Sequence, residues 1–114
     1  MTPAEHLRKA KDLLTDPSHW CQGSFARDID GDPAPMNDPD TAVAWCAMGA
    51  MYAQGSDPYG RLEAFKFLSK AMPHPMVLRS DLTRYNDMLP DHGALLAWFD
   101  RAIELAEQAH DNAA

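Results

Sequence analysis

The chain has 114 residues, 46% hydrophobic and 24% charged, ordinary values for one globular domain able to hold its own core, and they exclude a disordered or low-complexity chain. Its 17 acidic residues outweigh 10 scattered basic ones, for a formal net charge of -7, which argues against direct nucleic-acid binding and against attachment to an anionic membrane. Cys21 and Cys46 read as reduced thiols and Met1-Thr2-Pro3-Ala4-Glu5 opens a polar helix rather than a signal peptide, so a cytoplasmic protein is expected.

The first helix is predicted from Pro3 to about Leu14. Thr2 and Glu5 fit a capping box, Leu7, Ala10, Leu13 and Leu14 form an apolar stripe, and His6 is placed near the polar edge as a surface histidine. Residues 15–38 then separate two helices by more than a structureless loop usually spans. Asp30-Gly31 is the strongest hairpin signal in the chain. It predicts a strand over 23–29 and a short return over 32–36, limited to an edge by Pro33 and Pro35, with a plain extended arm over about 20–36 as the alternative. Trp20 and Phe25 are expected to dock this arm on the helices.

From Ala42 to Ala53 there is no charged residue, so 39–54 reads as a buried central helix, capped by Asp38 and Pro39 and closed by Gly55. Three more helices follow, over about 57–72, 80–88 and 91–108, the first stopped by Pro73-His74-Pro75, with residues 111–114 a frayed tail. Leu95, Trp98, Phe99, Ala102, Ile103 and Ala106 share one face of the last. The expected fold is mainly α: one domain over 1–110, a compact bundle of four to five helices around the central apolar helix, with a small hairpin or extended arm.

The chemistry carried by these residues is sparse. Cys21 with His19 two residues before it, or with His74 or His92, could form a thiol–imidazole pair for a small hydrolase or transferase, but no protease signature matches and a packing thiol explains Cys21 as well. There is no C-x-x-C or H-E-x-x-H, and Asp28-x-Asp30-Gly31-Asp32 fails as a calcium loop because Pro33 and Pro39 stand where Gly and Glu are required. No metal or other cofactor is therefore expected. Arg27 is expected to brace the arm by pairing with Asp87, and Asn86-Asp87 to cap or terminate a helix.

The blocks W-C-Q-G-S-F-A-R-D at 20–28, W-C-A-M-G-A at 45–50 and Y-N-D at 85–87 resemble a family of small bacterial and phage proteins of unknown function. The resemblance covers nearly the whole chain and implies a bacterial or phage origin and a shared compact fold. It implies no activity. Size, acidity and an aromatic arm favour a protein-binding module, one version being an inhibitor or modulator of a host protein complex such as a defence system. Trp20, Phe25, Arg27, Asp28, Asp30 and Asp32 are the candidate partner contacts, with Tyr59 beyond the arm.

Overall fold

Helix α1, Pro3–Leu14, starts as its capping box dictates. Thr2 is extended, its hydroxyl accepts the Glu5 N–H at 3.1 Å, and Pro3 fills the first helical position, where a missing N–H is harmless. In the computed structural model, which describes residues 2–35, 40–54, 58–73 and 79–113, a 3-10 turn follows at Pro17–His19. Then come strands β1 (Ala26–Arg27) and β2 (Ala44–Trp45) and helices α2 (Ala47–Tyr52), α3 (Pro58–Lys70), α4 (Arg79–Met88) and α5 (His92–Ala113). The fold is mainly helical with one small antiparallel sheet, as expected.

The predicted central helix is corrected. Among the described residues 40–54 only Ala47–Tyr52 is helical, and Ala44–Trp45 is extended, with Ala26 opposite Trp45 and Arg27 opposite Ala44. The arm supplies the reason. Its backbone needs partners, and it takes the Val43 N–H on Arg27 O at 2.8 Å and the Cys46 N–H on Phe25 O at 2.9 Å. The predicted caps Asp38, Pro39 and Gly55 lie outside the described residues. Cys46 is the N-cap instead, its sulfur accepting the Gly49 N–H at 3.3 Å.

The arm itself combines both alternatives. The chain turns at Asp28–Gly31, and Pro33 and Ala34 return against β1 through one bridge to Arg27 and the Ala34 N–H on Ala26 O. The other edge of β1 pairs with β2, so the hairpin is the outer half of a wider, irregular sheet. Trp20 adds a parallel bridge to Trp45. Gly31 sits at φ +85°, a conformation that suits glycine and explains the Asp-Gly signal.

The element at the centre is α1, which packs against α5, α3 and α2. Its inner face is Ala4, His6, Leu7, Ala10 and Leu14. His6 is therefore fully buried and not a surface residue. Its Nε2 lies 3.2 Å from Met51 O, and since a carbonyl can only accept, Nε2 is the donor. The Met51 oxygen, in the last turn of α2, also accepts the Gln54 N–H at 3.3 Å. Helix α5 lies across the bundle on the predicted face, with Leu95, Trp98, Phe99, Ala102 and Ala106 buried and Ile103 packed at the edge. The Trp98 indole donates to Leu68 O at 2.9 Å, tying α5 to α3, and Tyr85 of α4 meets the Trp98 ring edge-on at 4.8 Å. α5 continues to Ala113, beyond the expected end near Gln108. Pro73 follows α3, and the stop at His74 and Pro75 lies outside the described residues.

Candidate functional site

The arm is fastened by one residue. Asn86, fully buried in the last turn of α4, receives the Trp20 indole N–H at 2.9 Å and the Ala47 backbone N–H at 3.0 Å on Oδ1. Its Nδ2 donates to Cys21 O and Asp87 Oδ1, each at 3.1 Å. Both lone pairs and both protons of the amide are thus used. The sequence suggests that Asn86-Asp87 caps or terminates a helix, and the helix Asn86 caps is α2, six residues long, for whose first N–H it supplies the acceptor.

Gln22 and Asp87 complete the joint. The Gln22 amide donates to Asn86 O at 2.9 Å and Leu89 O at 3.0 Å, satisfying carbonyls that the end of α4 leaves open. Asp87 Oδ1 accepts the Gly23 N–H at 2.8 Å. Arg27 braces the arm, as expected, but through carbonyls: it donates to Gln22 O at 2.9 Å and Gly31 O at 3.0 Å in place of the predicted pairing with Asp87. Asp28 is likewise turned inward on its own loop, its Oδ1 accepting the N–H groups of Asp30 at 2.9 Å and Asp32 at 3.0 Å.

The thiols sit in the same region. Cys21 is buried and its sulfur donates to Ser24 O at 3.4 Å. Burial first, and then the neighbouring Cys46, push its pKa up to about 11, against the partial offset of Arg27. Cys46 is raised as well, chiefly by burial. A nucleophilic cysteine needs the opposite displacement. His19, its proposed partner, has Nδ1 3.3 Å from Leu13 O and its ring edge-on to Trp45. His92 has Nε2 2.7 Å from Leu14 O, closing the end of α1. His74 lies outside the described residues.

Of the predicted partner contacts, Trp20, Arg27 and Asp28 are thus engaged in holding the arm, and Phe25, Asp30 and Asp32 face solvent. Phe25 leaves 38% of its surface exposed while its carbonyl rests on the first turn of α2. The side chain of Tyr59 is outside the described set. Three positions matter here in ways that the sequence did not specify. Ile29 at the turn is 83% exposed, Asn86 holds the arm, and Gly49 lets the arm approach: a Cβ there would stand 2.1 Å from Phe25 O. The period-2 exposure of a strand could not have revealed Ile29, because it lies in a turn.

Elsewhere, a groove of about 350 Å³ between the start of α1 and the end of α5 is lined by Thr2, Glu5, Arg8, Glu107 and His110, and contains none of the predicted residues. An Arg8–Glu107 ion pair joins the two helices there. Among the described residues no group of three His, Cys, Asp or Glu comes together as metal ligands, and no helix is long and apolar enough to cross a membrane.

A small helical bundle with a sheet-braced arm is the class these features define. The chain belongs to DUF6197, a family of unknown function, whose model matches residues 1–105. No curated protein and no solved structure matches it.

Proposed function

We propose that the protein is a small acidic protein-binding module that acts through the arm. One observation carries this reading: the arm is fixed from behind by Asn86, Gln22 and Arg27, while Phe25, Ile29, Asp30 and Asp32 are exposed. A rigid segment with exposed apolar and charged side chains suits recognition, because its ordering cost is met on folding and not on binding. The resemblance of its sequence blocks to small bacterial and phage proteins supports one specific form, a phage- or prophage-encoded inhibitor or modulator of a host protein complex, for example a defence system. The other reading, a hydrolase or transferase using Cys21 and His19, has no observation in its favour, since the thiol is held protonated and both groups are committed to carbonyls.

Affinity capture from a bacterial lysate tests the proposal. A stoichiometric partner should be retained by the wild type and lost from a Phe25→Ser, Asp30→Lys, Asp32→Lys variant that keeps its circular dichroism spectrum. Retention of the same partner by the variant would remove the arm from the function, and an empty capture would count against a binding module. For the narrower form, the captured partner should be a host complex whose activity falls when the purified protein is added.

A further inference from the structure

We propose that Ile29 is the anchor of the arm, inserting into an apolar socket rimmed by Lys and Arg on a partner protein; this rests on the protein-binding reading above. Ile29 is 83% exposed, more than Met88 at 72% or Phe25 at 38%. Turns favour Gly, Asn, Asp and Ser, and a β-branched apolar residue contributes nothing to one. The fold gives no reason for isoleucine at this position.

The backbone beneath it is tied down on both sides. Gly31 N–H donates to Asp28 O at 3.0 Å, Asp28 N–H to Asp32 O at 2.8 Å, and Arg27 reaches Gly31 O. With Asp28 Oδ1 holding two further N–H groups, the side chain of Ile29 projects from a pre-ordered loop. Such an anchor binds at small conformational cost, and a residue seated in a desolvated pocket carries a large share of the affinity.

Charge selects the occupant. Asp28, Asp30 and Asp32 lie within three residues of Ile29, and the only basic residue from 26 to 35 is Arg27, whose guanidinium is turned back on two carbonyls of the arm. The surface meeting this tip must therefore bring positive charge around its socket. A second copy, itself at net charge -7, is opposed by the same repulsion, and nucleic acid carries the wrong sign.

Short random peptides displayed on phage, panned against the immobilised protein, provide the test. Enriched peptides should carry Lys or Arg around a large apolar residue and shift backbone amide resonances of residues 27–32. Ile29→Ser should weaken them by about tenfold or more, as loss of an anchor does. Asp30→Asn with Asp32→Asn should flatten the salt dependence of binding, and Leu62→Ser, an exposed apolar residue of α3, should leave it unchanged. Enriched peptides that lack basic residues, or that bind Ile29→Ser equally well, overturn the anchor. If such peptides shift resonances on another face, the protein-binding reading survives without this site. A library yielding no binder overturns the anchor, and the lysate capture then decides the broader reading separately.

Discussion

Gly49 and Asn86 are the two side-chain choices on which the arm depends. In an exposed helix, replacing glycine by alanine stabilises by up to about 1 kcal/mol. At Gly49 the sign reverses, because the new Cβ would stand 2.1 Å from the Phe25 carbonyl oxygen, a backbone atom that cannot swing away. Gly49→Ala is expected to lower stability by about 2–4 kcal/mol in urea titrations, the range for forced overpacking and above. Asn86→Asp preserves shape yet replaces the Nδ2 donor by an acceptor facing Cys21 O and Asp87 Oδ1. A loss of about 3 kcal/mol is expected at neutral pH, as for a buried polar group deprived of its partner and given a charge. Equal stability of this variant and the wild type would show that the amide network does not hold the arm. His6 makes the same point for the core, its Nε2 tying α1 to the Met51 carbonyl of α2.

The arm and α2 form together or not at all. Six residues of helix are too few to persist alone in water, and two-residue strands are weaker still. Val43→Pro removes the N–H that Arg27 O receives at 2.8 Å, one of the bonds that keeps 43–46 extended. Hydrogen exchange should then speed up at Ala26, Arg27 and Cys46 together, while α5 amides remain protected. Uniform loss of protection would instead mean that the arm is part of the global folding unit. α1 has its start encoded locally, so Thr2→Ala should cost about 1 kcal/mol without altering arm exchange.

Across the protein, α1 is the hub between α5, α3 and α2, and its exposed ties to α5, Arg8–Glu107 and Lys11–Asp100, add little beyond packing because water and salt screen them. The thiols matter more to overall stability at high pH. Folding raises the Cys21 pKa to about 11, while the unfolded chain ionises near pH 8.5. The stability this represents is complete below about pH 8.5 and is lost as pH rises through about 11, a fall on the order of 3 kcal/mol. Cys21→Ala should show a shallower alkaline decline than the wild type in matched denaturant titrations, the tyrosine and lysine contributions being common to both. At pH 8 the native thiols should react with iodoacetamide far more slowly than in urea, and rapid native alkylation would contradict the burial of both.

Local signals account for the helices. The capping box at Thr2, Asp91 before α5, whose carboxylate accepts the Ala94 N–H at 2.8 Å, and the apolar spacing of both helices depend on residues within a few positions of each other. The Asp30-Gly31 turn was legible for the same reason, since φ at Gly31 is a property of the turn alone. The extent of α2 was not. An uncharged stretch rich in alanine signals burial without distinguishing a helix from an extended segment. That choice was made by the arm, whose unpaired backbone took residues 43–46 as its partners. Nor could sequence spacing tell that Asn86 completes a helix beginning 39 positions earlier, that His6 faces the core, or that Ile29 points out. Helix starts, turns and apolar stripes are set by neighbours along the chain, but which polar group satisfies which buried donor depends on segments that meet only when the chain has folded.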